Sequence, residues 1–291
     1  MRHTRIPNFP LPPSHFPLVH LDACPPHPTI TFRPRRSAIT YPLAVISDIH
    51  GNLEALQAVL ADIDARDIHR IICLGDIIGY GPNPREVLDL VAQRCEWSLM
   101  GNHDFAVLYE PTNFNAGAES AAFWTRRQLE TESDPARRAK RWDFLGSLAI
   151  RQTFNGTLCV HGSPRRPINE YIFADDVATA PTKMQQIFDR VERSCLVGHT
   201  HVQGLFTDEP DFYPPDELNY AYTFNSWEKV VINVGSVGQP RDRNPKAGYT
   251  ILYEDHLQFV RLDYDIHAVI KKIESIPDLN DFFGQRLLEG R

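Results

Sequence analysis

Three short apolar runs, separated by two segments of helical period, set the tightest limit on how this chain can fold. The first run, Leu-Ala-Val-Ile-Ser at 43–47, is short and β-branched, as a strand buried on both faces should be. The segment that follows from Asn52 carries apolar residues at 53, 56, 59, 60 and 63, the spacing of one helix face. A second run within 68–76, a second helical segment at 83–93 and a third run at 96–102 complete a β-α-β-α-β order. Strands joined in this way need right-handed crossovers, so the opening third predicts an α/β domain with a largely parallel sheet. Residues 117–147 predict mostly helix. Further strands are expected at 157–162 and 194–201, around a helical segment near 181–190. The last third, with apolar runs at 229–238, 248–254 and 257–264, predicts an antiparallel meander before a short terminal helix.

Each early strand ends in a polar cluster. Ser47-Asp48-Ile49-His50 follows the first, Gly75-Asp76 the second, and Gly101-Asn102-His103-Asp104 the third. Later strands end in His161-Gly162 and in Gly198-His199-Thr200-His201. In an α/β sheet the loops at the carboxyl ends of strands converge on one crevice, so side chains far apart in the chain are expected to meet there. Asp, His and Asn supply hard and borderline metal ligands, and glycine lets the backbone turn sharply. Taken alone, each cluster is an ordinary strand-end cap, turn or core histidine; their common position is what singles them out. The tripeptide Asp-Ile-His illustrates this, because it occurs at 48–50, 67–69 and 265–267. Asp67 and His69 precede a strand, at the wrong end for the crevice. Asp265 is placed to cap the terminal helix. Only Asp48 and His50 follow a buried strand.

Charge and cysteine usage narrow the function classes. A net charge of -7 argues against a nucleic-acid backbone as partner, since such binders carry a basic surplus. It leaves small phosphorylated substrates open, because a bound metal supplies positive charge locally. The five cysteines (24, 73, 95, 159, 195) are odd in number and scattered, which predicts free thiols in a reducing cytoplasm. Cys73, Cys159 and Cys195 sit in apolar runs and read as small core hydrophobes. No window approaches about 18 uninterrupted apolar residues, so no membrane span is predicted. Residues 1–40 hold nine of the 23 prolines and four histidines without any period. They read as a disordered leader or an over-long start, with no signal peptide, leaving 41–291 as the folded domain.

The ordered set Asp-x-His, Gly-Asp, Gly-Asn-His-Asp, His-Gly and Gly-His-x-His resembles the calcineurin-like metallophosphoesterases, over roughly 42–270. "GYGPNP" after Asp76, "VHGSP" around His161 and "NVGSVGQPRD" at 233–242 are similar to the compact bacterial branch of that family. The resemblance implies an α/β two-sheet sandwich flanked by helices, four layers with mixed parallel and antiparallel strands. It also implies two divalent metal ions, manganese first, with iron, zinc or cobalt as alternatives. Asp48, His50 and His201 would hold one ion, Asn102, His161 and His199 the other, and Asp76 would bridge both. Two such ions about 3.5–4 Å apart need a bridging carboxylate, and together bind a hydroxide poised for in-line attack on phosphorus. Asn102 is neutral and limits the charge of the cluster. His103 matches the family's non-ligand histidine, which stabilises or protonates the leaving oxygen and whose ordinary pKa lies near neutrality.

One departure bears on the substrate. The protein-phosphatase branch carries a phosphate-clamping arginine after the bridging aspartate, where this chain has Tyr80. Arg165, Arg166 and Arg241 are the remaining candidates for substrate binding, and Asp104 is expected to cap a helix or orient His103. The expected activity is metal-dependent hydrolysis of a phosphodiester, phosphomonoester or phosphoanhydride, without a covalent intermediate. Small phosphodiesters, nucleotides and dinucleoside polyphosphates are the expected substrates. Segments 105–147 and 207–228 are expected to shape specificity, the second either capping the site or serving as an exposed connection. The alternatives are a protein phosphatase, weakened by the missing arginine, and a catalytically silent scaffold for protein binding. A silent scaffold would have lost ligands or His103, and all are present.

Overall fold

The computed structural model describes residues 40–291, so the expected leader, apart from Thr40, lies outside the described residues. The opening alternation forms as read: β1 (Leu43–Ile46), α1 (Leu53–Ala65), β2 (Ile71–Cys73), α2 (Pro84–Arg94) and β3 (Trp97–Ser98). A short helix not expected from the sequence, α3 (Asn102–Leu108), follows, and the helical stretch becomes α4 (Ala116–Glu130) and α5 (Pro135–Ser147). A hairpin of β4 (Arg151–Phe154) and β5 (Thr157–Val160) leads through α6 (Asp176–Thr179) and α7 (Pro181–Phe188) to β6 (Ser194–Val197). Next come β7 (Gly204–Thr207), β8 (Phe212–Tyr213), β9 (Ala221–Thr223) and β10 (Val230–Asn233). The chain closes with β11 (Ala247–Leu252), β12 (His256–Leu262), α8 (Ile266–Glu274), α9 (Phe282–Gln285) and a 3-10 turn, Arg286–Glu289.

Among the described residues the strands make two six-stranded sheets, ordered β3-β2-β1-β11-β12-β9 and β4-β5-β6-β10-β7-β8. The first sheet corrects the expectation of a largely parallel one. Only β1, β2 and β3 run parallel, while β11, β12 and β9 join antiparallel. The meander expected for the last third is also corrected. β10 leaves for the second sheet, parallel to β6 and antiparallel to β7, and only β11 and β12 pair as a hairpin. Local pattern marks β10 as a buried strand, but all four of its residues are buried and nothing in that run names its neighbours.

Period-two alternation builds the layers. In β1, Leu43 and Val45 face the second sheet, where they meet Leu196, Leu205 and Ile232, while Ala44 and Ile46 face the helices with Leu56, Val59 and Ile63 of α1. In β6 and β10, Cys195, Val197 and Val231 point the other way, onto Met184, Ile187 and Phe188 of α7. The result is helix, sheet, sheet, helix. The described cysteines are all free, and Cys73, Cys159 and Cys195 are buried among apolar neighbours, as expected of small hydrophobes. Among the described residues no helix is long and apolar enough to cross a membrane.

Candidate metal centre

The carboxyl ends of β1, β2, β5 and β6, and the segment leading from β3 into α3, deliver their polar clusters to one buried point. Doing so forces unusual backbone. Asp48, His50, Asp76, His199 and His201 all have positive φ, between 50° and 67°. Such a conformation costs a non-glycine residue about 1–2 kcal/mol and persists only where the surroundings over-determine it. They do so here with main-chain hydrogen bonds. Asp48 N donates to Gly75 O (3.0 Å), His50 N to Asp76 O (3.0 Å) and Gly238 N to Asp48 O (3.0 Å). The Asp48 carboxylate accepts from His199 N at 3.1 Å, so two loops on different sheets lock each other. Close approach also dictates two glycines. A Cβ on Gly101 would fall 2.1 Å from Asp76 Oδ1, and one on Gly198 would fall 2.4 Å from Asp48 Oδ2.

Two groups of ligand atoms result, Asp48/His50/Asp76/His201 and Asp76/His161/His199, and Asp76 belongs to both. His201 Nε2 lies 3.2 Å from Asp48 Oδ1, and His50 Nε2 lies 3.6 Å from Asp76 Oδ2. His161 Nε2 lies 3.3 Å from Asp76 Oδ2 and 3.3 Å from Asn102 Oδ1. The structure therefore brings together all seven residues expected as ligands. Two of the imidazoles are aimed from behind, as ligating histidines commonly are. His161 Nδ1 donates to the carbonyl of Leu74 (3.1 Å) and His201 Nδ1 to that of Gln239 (2.5 Å).

Those outer bonds test whether a cation fits. With its proton on Nδ1, each neutral ring turns a lone pair inward. His161 then faces two oxygens, and His201 faces an oxygen and the nitrogen of His50 at 3.1 Å. Lone pairs converging in this way repel unless a proton or a metal ion sits between them. His199 Nε2 is buried without a hydrogen-bond partner, as a ligating nitrogen would be. The mixed carboxylate, imidazole and amide set suits a borderline divalent ion. The residues fit the pair of ions that the resemblance implies.

The electrostatics follow the same crowding. Burial opposes ionisation of Asp76, but His161, His103 and His50 outweigh it and hold the carboxyl well below the usual range. Burial is likewise overcome at Asp48, by His201 and His161. At His161 burial loses to Asp76 and Asp48, and the imidazole is pushed up to about 9. At His103 and His199 burial wins, bringing them down to about 4 and about 3.

His103 sits beside the cluster. Its main-chain N–H donates to Asp76 Oδ1 (2.8 Å), and its ring packs against those of Tyr80 and Phe114. Asp104 is tied up elsewhere: Oδ1 accepts from Ile77 N and Ile78 N, and Oδ2 from Gly101 N at the start of α3. It joins the β2 loop to that helix, as a cap. Of the candidate arginines, Arg165 pairs with Glu170 (3.3 Å), Arg166 is exposed at the rim of a cavity, and Arg241 follows Gln239 beside His201. The cavity, about 610 Å³, opens over His103, Asn102 and His199 between Phe114 and Tyr171. Tyr171 stacks on the His199 ring at 3.7 Å between centroids, and no local pattern in the sequence marked it. Segment 112–118 lines the cavity; 207–228 does not, and carries the edge strands β8 and β9.

An α/β sandwich that gathers Asp, His and Asn from the ends of several strands around one shared carboxylate is the build of a metal-dependent hydrolase. Comparison with known proteins narrows this. The profile of the calcineurin-like phosphoesterase family matches residues 41–203. An uncharacterized protein of Methanocaldococcus jannaschii is 38% identical over 258 residues, covering 86% of this chain and 98% of that protein. The crystal structure of a metallophosphoesterase from Sphaerobacter thermophilus is 34% identical and matches with a TM-score of 0.72, over 86% of this chain and 100% of that one. A hypothetical protein from Pyrococcus horikoshii OT3, 20% identical, shares the fold with a TM-score of 0.68 over 86% of this chain and 98% of its own. The chain belongs to the calcineurin-like phosphoesterase family.

Proposed function

We propose that this protein hydrolyses phosphoester or phosphoanhydride bonds of small substrates with the help of two divalent ions, manganese first among them. The observation that carries the reading is that Asp76 belongs to both groups of ligand atoms, the arrangement a dinuclear centre needs. In this reading Asp48, His50 and His201 hold one ion, and Asn102, His161 and His199 the other. When bound, the ions supply Lewis-acid polarisation of the phosphoryl group and acidify water.

The chain's own residues do the rest. Leu74 O and Gln239 O fix the tautomers of His161 and His201, keeping both Nε2 atoms turned inward. His103 is held through its main chain, and its Nδ1 is buried without a partner. A neutral imidazole there has a proton on one nitrogen to share with the leaving oxygen. The leaving group occupies the cavity of about 610 Å³, a size for a small molecule or nucleotide. Phe114 and Tyr171 offer flat apolar walls and Asn113, Asn115 and Asn169 line the cavity with amides, which supports a planar, hydrogen-bonding group such as a nucleoside.

The test is hydrolysis of bis(p-nitrophenyl) phosphate by manganese-loaded protein, with metal content read in parallel. Two ions per chain and turnover are expected, and Asp76→Asn should lose at least about 100-fold in rate together with bound metal. A loaded wild-type protein that turns over no phosphoester, or one that binds a single ion, contradicts the reading.

A further inference from the structure

The metal centre leaves open what grips the phosphoryl group itself. Phosphate oxygens are best held by charge-assisted donors, and arginine presents a fork that matches them. The three arginines named from the sequence are not equivalent in the structure. Arg165 is neutralised by Glu170, and Arg166 lies exposed at the cavity rim. Arg241 is half-buried, and among the described residues no carboxylate lies within ion-pair distance of it.

Its backbone is pinned to the metal centre. Arg241 N donates to His201 O (3.2 Å), and two residues earlier Gln239 O accepts from His201 Nδ1. Arg241 Nη2 donates to Gln239 Oε1 (2.9 Å), which steadies the guanidinium, while Nε is buried and finds no acceptor. An unsatisfied buried donor on a cation is destabilising, and an anion arriving there would relieve it. The groups that feel this charge are Tyr80, Tyr171, His103 and His201, which are the walls of the site.

A second cation shares the region. The half-buried Arg286 lies within the field of Arg241 and Tyr80, its Nε donating to the main-chain oxygen of Arg291. Burial and Arg241 together push it down to about 10. Arg286 is engaged by that oxygen of the last residue, so of the two guanidinium groups it is Arg241, with Nε unsatisfied and no ion pair among the described residues, that leaves the field open to an anion.

We propose that Arg241, steadied by Gln239 and reinforced by the charge of Arg286, is the arm that binds the non-bridging oxygens of a phosphoryl group at the metal centre. The proposal rests on the phosphoesterase reading and gives it a phosphate clamp. The position after Asp76 that holds arginine in the protein-phosphatase branch is Tyr80 here, and the cation comes instead from the loop after β10.

Inorganic phosphate is the probe. Wild-type, Arg241→Ala, Arg241→Lys and Arg286→Ala proteins are loaded with manganese, checked for metal content, and titrated with phosphate by calorimetry. Hydrolysis of bis(p-nitrophenyl) phosphate is measured on the same samples. Arg241→Ala is expected to keep both ions, bind phosphate about 10- to 100-fold more weakly, and lose kcat/KM by a similar factor. Arg241→Lys should recover part of this, since it restores the charge without the fork. Arg286→Ala should weaken phosphate binding in the same direction and by less. Phosphate affinity of Arg241→Ala equal to wild type, with both ions bound, overturns the arm. So does loss of metal from both Arg241 variants, which would make the residue a prop for His201. If phosphate binding depends on Arg241 but no phosphoester is hydrolysed, the arm stands and the catalytic reading falls. If hydrolysis proceeds with Arg241 dispensable, only the arm falls.

Discussion

The N–H of His103 donates to Asp76 Oδ1 at 2.8 Å, so the carboxylate shared by both clusters also fixes where the His103 side chain starts. Its ring then leans on Tyr80 and Phe114, with centroids at 4.4 and 4.6 Å. Alanine at 103 keeps that N–H. His103→Ala should therefore retain two ions per chain while kcat falls about 100- to 10,000-fold, the usual worth of a general acid. Steady-state kinetics beside elemental analysis check this; metal lost along with activity would instead make His103 a structural support. Gly101 offers the opposite separation. A Cβ there would meet Asp76 Oδ1 at 2.1 Å, so Gly101→Ala should displace the shared carboxylate and lower metal content, although 101 ligates nothing. Residue identity was legible for most of the centre, because Asp, His and Asn after buried strands are uncommon company. Tyr171 was not legible: it lies in a loop, and only folding lays it on His199.

Helix α1 shows how one element couples secondary structure to the site. Asn52 Oδ1 accepts from Ala55 N (3.1 Å) as an N-cap, while Nδ2 donates to Gly238 O (2.8 Å) in the loop after β10. Gly238 N in turn donates to Asp48 O. Asn52→Ala should cost about 1–3 kcal/mol in a denaturant melt, from the lost cap plus a stranded buried carbonyl. Asn52→Asp keeps the cap acceptor but sets an oxygen against the Gly238 carbonyl, so it should recover only part of the loss. The helices and strands themselves were readable from period and caps: α1 begins after Asn52, and Asp265 caps α8 through Ala268 N (3.0 Å). The other Asp-Ile-His pair, Asp67 and His69, lies exposed, the two side chains 3.3 Å apart and away from the centre.

At the scale of the whole molecule, protons, metal and fold are linked through the buried cluster. In the metal-free protein His161 is pushed up to about 9, against about 6.5 for an unfolded histidine. A raised pKa means the folded state holds the proton more tightly. The stability it contributes is complete below about pH 6.5 and is lost as pH climbs toward 9. Metal-free protein should accordingly show a Tm that falls across that window. A metal ion takes the place of the proton, so manganese binding at pH 7 should release protons and tighten as pH rises. Calorimetry in buffers of different ionisation enthalpy reads this directly, and proton-free binding at pH 7 would contradict it.

The sequence alone determined what is local: which runs bury as strands, which faces of the helices turn inward, and which side chains stand at the strand ends. These follow from period, burial and turn chemistry, each written within about ten residues. The tertiary structure decided what depends on distant chain. It sent β10 to the second sheet and set β11 antiparallel beside β1, with β12 and β9 added antiparallel in turn. It turned Leu74 and Gln239 carbonyls onto two imidazoles, and it left Arg241 without a carboxylate while giving one to Arg165. Strand partners, hydrogen bonds to main-chain carbonyls and ion pairs are chosen by whichever groups folding brings within about 3–4 Å, and no pattern along the chain encodes that distance.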